Sequence, residues 1–571
     1  MGPGNILFYL SFLFVILSGA CAQMGTVCQS VKPPALSQPQ DTTLPRADAY
    51  YDYLLAQYYL RNSQIDEAIE AYHQTLKREP RSSSLLTELA ALYLRQGKIE
   101  TALKLAEEAA AYDPSYEMVH MLLGQLYAGI GQYDKSIASY QRVVEMNPSN
   151  EDAYLLLGTL YAQVGRFSDA MEVFDQLRAM FPDNPMALYY RARIFLDMKF
   201  YSQAESIYQE VLALDPTFEN ALLDLAYIYE VTDRTREAQK TYQRILSFNN
   251  SSVQALTRLG NLYMREGKLD EALLVFGQII KLNRRDPESR LKVGIIHLQQ
   301  KNYEDAIQAF TFLLKEQPHY DQAMYYLGST YEEKGDLDQA ILNFRLVSRN
   351  SLLWNTAQIR LALIFAKKKD FRSAMEVLQD AIQKQPDLPA TYLYLGMLHE
   401  EQKQYDEALK AFDRGLEKNP RDVDILFRKG VVLDKMGRKE DAVEVMRKVL
   451  SIEPRNSNAL NFVGYTYAEM GINLMEAKQM IKTALEIEPE DGYIMDSMAW
   501  VYYKLGQYKK ALDYILEALK RVPQDPIILE HLGDIYMSLG KKTKAAEAYQ
   551  KSLEFQHTEP EKIRRKLEKL Q

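Results

Sequence analysis

Small, aromatic and large apolar residues return along this chain with a period of 34. From Asp48 onward an alanine recurs with a small residue twelve positions before it, an aromatic nine before, a large apolar or aromatic residue four after, and often a proline twelve after. The anchors are Ala68, Ala102, Ala170, Ala204, Ala238, Ala272, Ala306, Ala340, Ala374, Ala408 and Ala442, with Ser136 filling the one gap. One step of 35 then leads to Ala477, and Ala511 and Ala545 resume the 34-residue step, so fifteen units occupy roughly 49–559. Apolar pairs at i and i+4, such as Leu123 with Tyr127 or Leu157 with Tyr161, lay one stripe along a helix. A second helix carries the anchor alanine and, four on, Tyr140, Phe174, Phe276 or Phe412. The spacing therefore predicts two antiparallel helices per unit.

The punctuation agrees with that reading. Glycine closes the first helix in nine units (Gly97, Gly131, Gly165, Gly267, Gly335, Gly437, Gly471, Gly506 and Gly540), as suits a left-handed C-terminal residue. Prolines such as Pro80, Pro148 and Pro182 end the second helix. Each first helix also keeps Gly or Ala inside its stripe, from Ala56 and Gly124 to Gly533. We expect a neighbouring backbone to approach there, leaving no room for a side chain larger than alanine. The extra residue between Gly471 and Ala477 is expected in the turn, where it leaves both helix registers intact.

The two ends differ in character. Residues 1–22 read as a targeting segment, with an apolar run from Ile6 to Leu17 before Ser18-Gly19-Ala20-Cys21-Ala22. Leu17 to Cys21 resembles the lipobox of bacterial lipoproteins, which implies cleavage before Cys21 and a lipid on that cysteine. Ala20-Cys21-Ala22 equally fits cleavage after Ala22, and the run stretched to Ala22 reaches the lower limit for an uncleaved membrane anchor. Residues 23–48, with Pro33, Pro34, Pro39 and Pro45 among Gln, Ser and Thr, read as a flexible linker. Cys28 is either a free thiol there or closes a small loop with Cys21. At the other end, Ile563, Leu567 and Leu570 make 560–571 an amphipathic capping helix over the last unit.

Composition narrows the function. Of 571 residues 47% are hydrophobic and 25% charged, which excludes a disordered or multi-span membrane chain. Lys and Arg number 68 against 77 Asp and Glu, a net charge of −9 that offers little to nucleic acid. With two cysteines, no disulfide framework or cysteine-rich metal site holds the fold. Gly97-Lys98, Gly267-Lys268 and Gly540-Lys541 lack the rest of a phosphate loop and sit at one repeated turn. His399-Glu400-Glu401 lacks the second histidine of a zinc helix, and His73, His120, His297, His319, His531 and His557 form no sequence cluster. No catalytic motif and no non-repeat region long enough for a catalytic domain is present. We expect no enzyme, metal or cofactor.

The register resembles that of the tetratricopeptide repeat family, whose L-G, Y, A, F and P positions are matched by Leu157-Gly158, Tyr161, Ala170, Phe174 and Pro182. Arg191 and Lys429 depart from it at the leucine, His297 and His399 at the tyrosine, and Asn250, Arg284, Leu352 and His557 at the proline. The resemblance implies an all-α solenoid, a right-handed superhelix of about fifteen helix-turn-helix units whose first helices line a concave binding surface. On that surface it places Tyr50, Tyr53, Met118, Met121, Leu155, Met186 and Tyr189 of repeats 1 and 3 to 5, an apolar groove for a protein or peptide partner. Burial of the same residues by tight curvature is the alternative. Further on, Asp224, Arg258, Lys292, Arg360 and Arg428 alternate with Glu230, Glu332, Glu333, Glu400, Glu401 and Asp434. The family's carboxylate clamp is not met, since Asn261 stands with Thr257 where a lysine belongs. The expectation is a protein-binding scaffold of the bacterial cell envelope, periplasmic or anchored to the outer membrane. More specific alternatives are a component of an exopolysaccharide or pilus export machine, or a regulator acting in trans on an envelope enzyme such as a glycosyltransferase.

Overall fold

The computed structural model describes residues 45–570. The signal segment, Cys21, Cys28 and linker residues 23–44 lie outside the described residues. Among the described residues all regular structure is helical: fifteen helix pairs and a final helix, Pro560–Glu568. The first pair is Pro45–Arg61 and Ile65–Arg78, the fourth Glu151–Gln163 and Phe167–Met180, and the fifteenth Pro526–Ser538 and Lys542–Glu554. The first helix opens at Pro45, four residues inside the expected linker, because proline at the first helical position carries the helical φ already and gives up no needed donor. Two compact units are distinct, one ending at Ile228 and one beginning at Tyr229.

The left-handed turn after the first helix is a requirement of every repeat. All nine closing glycines have φ between 70° and 92°, and the same register elsewhere holds Ser63, Lys199, Asp233, Lys301, Lys369 and Lys403 at φ 58° to 62°. Those six residues accept a conformation that costs a side-chain-bearing residue about 1–2 kcal/mol. The 35-residue step is absorbed in the turn, as its position predicts. Asn473 takes a second left-handed conformation (φ 48°) between Ser457–Met470 and Leu474–Ile487, each a full 14 residues. Repeat 9 departs where proline is replaced: its second helix, Leu337–Leu346, has 10 residues, and Leu352 in the following link is 99% exposed.

Every anchor alanine is fully buried, and Ser136 joins them by donating its hydroxyl to the Gly124 carbonyl at 2.6 Å. The conserved spacing of small residues in the first helix has a different cause from the one its spacing suggests. What sits against most of these glycines is the ring of the second helix: a Cβ on Gly158 would lie 2.5 Å from two carbons of Phe174, and one on Gly396 would lie 2.2 Å from Phe412, whereas at Gly430 it would meet Met446 and at Gly464 both Ile481 and the Ala477 backbone carbonyl, at 3.0 Å. Where the small residue is alanine, the residue sixteen on is Ala106, Leu378 or Ile515 after Ala90, Ala362 and Ala499, but a fully buried tyrosine, Tyr72, Tyr208 or Tyr242, after Ala56, Ala192 and Ala226, so an alanine can also be accommodated against a ring. At the C-terminal end Ile563 is fully buried against Ala545 and Tyr549, with Leu567 and Leu570 beside it, so Pro560–Glu568 closes the last repeat.

Candidate protein-binding surface

Each first helix buries one stripe against its own second helix and against its neighbours, which leaves the opposite stripe open. In the first unit that stripe holds the seven residues singled out by sequence, and the structure sorts them. Tyr50 is 64% exposed and Met118 58%. Tyr53, Met121, Leu155 and Met186 are half-buried, each offering part of its apolar surface. Tyr53 meets the edge of Tyr72 at 6.2 Å and donates to Glu88 at 3.5 Å, while Tyr72 and Gln57 also donate to Glu88.

Tyr189 does not belong to the accessible set. It is 7% exposed because the rings of Tyr190, Tyr208 and Phe218 enclose it at 5.3, 6.0 and 5.2 Å. Burial, and then the charge of Asp224, push its phenol well up. Asp224 in turn accepts from Arg193 at 3.1 Å with both oxygens and from Tyr208 at 2.9 Å. Burial opposes the charge on Arg193, but the Asp224 carboxylate together with Tyr189, Tyr208 and Asp197 holds the guanidinium more firmly protonated. Sequence reasoning named Asp224 and missed Arg193, which follows the small residue Ala192 and is 31 residues away.

Several of the alternating charges of the second unit are paired across successive repeats. Arg360 reaches back to Glu332 at 3.1 Å, and Lys435 to Glu400 at 2.6 Å with Arg428 at 3.9 Å. Burial pushes the carboxyls of Glu332 and Asp434 up, against the pull of Arg360 and Lys439 respectively. Between the first helices of repeats 10 and 11 lies an apolar recess of about 90 Å³, lined by Leu363, Ala366, Leu378, Tyr394 and Met397 with Glu401 beside them. At about 30 Å³ per water it has room for roughly three waters or one aliphatic side chain.

A third cluster was not visible in sequence because its members come from the last two repeats, the link after them and the final helix. His531 Nδ1 lies 2.8 Å from Asp496, and the His531 ring stacks on Trp500 at 4.2 Å. Glu530 accepts from Lys566 at 2.6 Å and Lys562 at 3.1 Å and lies 2.9 Å from His557. Lys566 and Tyr549 both donate to Asp534. Burial alone would raise the Glu530 carboxyl, but hydrogen bonds and charge from Lys566 and Lys562 bring it down to about 2. Desolvation opposes charging His531, yet Asp496 beside it leaves its pKa raised. Ser497, next to Asp496 on the same helix, donates to the Tyr493 carbonyl at 3.0 Å. The cluster bolts the final helix to the last repeat. Among the described residues no group of three His, Cys, Asp or Glu is placed to hold a metal ion, and no helix is long and apolar enough to cross a membrane.

Comparison with known proteins bears on this surface. Family profiles described as tetratricopeptide repeat match residues 53–256, 257–351, 365–464 and 497–560 in overlapping segments. A curated relative, the TPR repeat-containing protein PA4667 of Pseudomonas aeruginosa, is 39% identical over 57 residues. The match spans 10% of this chain and 10% of the length of that relative. Among solved structures, the APC/C hetero-tetramer Cut9-Hcn1 aligns with 79% of this chain and 96% of its own, at 14% identity and a TM-score of 0.34. Naa15/Naa10 bound to HypK-THB aligns with 92% and 96%, at 14% identity and 0.30. A tetratricopeptide repeat protein from Parabacteroides merdae aligns with 44% and 98%, at 17% and 0.37. At these scores the structural likeness carries no functional argument.

Proposed function

Because the chain belongs to the tetratricopeptide repeat family, we propose that it is a non-enzymatic scaffold holding partner proteins or peptides along the open stripe of its first helices. The observation that carries this reading is the apolar surface left on the open stripe. Tyr50 and Met118 stand exposed beside the half-buried Tyr53, Met121, Leu155 and Met186, and Tyr493 and Ile527 are exposed at the same register in the second unit. Rotamer-rich methionine and rigid, amphipathic tyrosine suit an apolar groove for an extended or helical segment. The net charge of −9 argues against nucleic acid as that partner.

The place of action in this proposal is the bacterial cell envelope, and residues 1–22 support it. Export followed by lipidation at Cys21 would leave the repeats tethered through the proline-rich segment to a membrane, the outer membrane by preference since Ala22 is not aspartate. Photo-crosslinking from position 118 in native envelope fractions tests the groove, with position 342 on an exposed second-helix site as control. One recurring partner captured from 118 and not from 342 is the expected result; equal, scattered capture from both would end the groove reading. Radiolabelled palmitate on the wild type and its absence on Cys21→Ser tests the anchor.

A further inference from the structure

The first helix carries an interface face that no described repeat fills. In Pro45–Arg61, Tyr51 is 50% exposed, Leu54 49% and Tyr58 40%, at i, i+3 and i+7 along one side. In the next repeat the same registers face the preceding second helix. Leu85 and Leu92, in place of Tyr51 and Tyr58, are buried with Ala68 and Tyr72 of Ile65–Arg78, and Glu88, in place of Leu54, accepts from Tyr72. The unfilled face is apolar, since the helix's acids Asp48 and Asp52 are both held by Arg78. At the other end of the array the corresponding cover is supplied by the chain itself, through Ile563 of Pro560–Glu568.

We infer that the chain also covers its first helix, with residues 31–36, Val31-Lys32-Pro33-Pro34-Ala35-Leu36, laid antiparallel to Pro45–Arg61. Composition, spacing and reach select this segment. Paired prolines favour the polyproline II form, in which proline-rich chain docks on aromatic side chains, and the face offers two tyrosine rings. Tyr51 and Tyr58 lie about 10 Å apart along the helix axis. A polyproline II helix repeats every three residues at about 3.1 Å each, so Pro33 and Leu36 fall on one side about 9 Å apart. Leu36 against Tyr51 and Pro33 against Tyr58 set Leu54 between them. The link is long enough: residues 37–44 can span up to about 26 Å, while Tyr51 stands only about 9 Å along the helix from Pro45. Over so short a link the segment is held at an effective concentration on the order of millimolar, an advantage that a separate partner lacks. Residues 31–36 follow every cleavage point considered for residues 1–22, so the contact is independent of how those residues are processed. It is also independent of the partner stripe, because Tyr50 belongs to that stripe and stays open.

Photo-crosslinking from position 54 tests the contact in the full chain, purified as the cell processes it, with light and heavy-isotope chains mixed. Links from 54 to residues 31–36 within one chain are the expected result, with none to that segment from position 274, a site 71% exposed. Mixed-isotope links would assign the face to a second copy, and links to another protein would assign it to a partner. Either result overturns the proposal, as do links confined to other residues or no links at all. Leu36→Glu changes no residue of the repeats. It should speed amide exchange of 50–60 by about two- to fivefold and leave Pro526–Ser538 unchanged. Equal exchange of 50–60 in variant and wild type would also overturn the proposal.

Discussion

Replacing Gly158 by alanine adds one methyl group to a fully packed gap, and the structure sets what that costs. The new Cβ would lie 2.5 Å from two ring carbons of Phe174, whereas ordinary contact begins at 3.4 Å, so the ring must retreat by nearly 1 Å. Phe174 is completely buried, and Tyr190 stacks on it at 5.5 Å with its plane only 9° away, which leaves the ring little freedom. Overpacking of this kind costs about 1–3 kcal/mol. Removing the ring edge makes room for the methyl group, so Gly158→Ala with Phe174→Leu should lose less than the sum of the two single changes, by about 1 kcal/mol. A repeat array unfolds locally, so the assay is native-state amide exchange of Glu151–Gln163 and Phe167–Met180 rather than a single melting temperature. Additive losses in the double variant, or an unchanged exchange rate in Gly158→Ala, would refute the idea that ring and glycine form one steric unit.

Other changes probe separate parts of the molecule. Tyr189→Ala should destabilise its repeat by about 3–5 kcal/mol, read as faster exchange of Pro185–Asp197, because the ring is enclosed rather than exposed. Met118→Ala should weaken partner capture in a pull-down while changing stability by less than about 0.5 kcal/mol. Lys301→Gly, at φ 60°, should raise the local stability of repeat 8 by about 0.5–1 kcal/mol in the same exchange assay. Acid should release the final helix. The Glu530 carboxyl is depressed to about 2 in the folded chain, so its contribution, about 3 kcal/mol by linkage, is present above the unfolded value near 4.5 and lost as pH falls towards 2. Lys566→Met should flatten that acid limb in circular-dichroism melts, and an unchanged limb would remove Glu530 from the account. His531 works in the opposite direction: its raised pKa adds stability below about 6.5 that is lost as pH rises through the folded value.

Period and punctuation made most of the fold legible before any coordinates. A residue that must be small, such as Ala68 or Ala102, and a turn that must be left-handed, such as Gly165, are constraints acting within one repeat, so they recur at fixed offsets and can be read locally. The closing helix was legible for the same reason, since Ile563, Leu567 and Leu570 state its apolar face in eight residues. The physical meaning of Gly124 or Gly158 was less so. Spacing shows that a small residue is required, but whether a backbone or a ring fills the gap depends on the rotamer of a residue sixteen positions away.

The binding surface was legible only in part, because exposure on the open stripe is decided between repeats. Met118 and Tyr189 occupy that stripe alike in a register drawn from sequence, yet one is 58% exposed and the other 7%. The difference comes from neighbours. Tyr189 is followed by Tyr190 and faces Phe218 in the link to the next repeat, while an Arg193–Asp224 pair draws the next first helix against it. The charged residues of the second unit follow the same rule, since Glu332 and Glu400 find their cations, Arg360 and Lys435, 28 and 35 residues ahead. A charge row on a repeat surface can therefore serve as stitching between repeats. On the proposed reading, the residues that remain for a partner are those, like Tyr50 and Met118, that stay exposed after the adjoining repeats have packed.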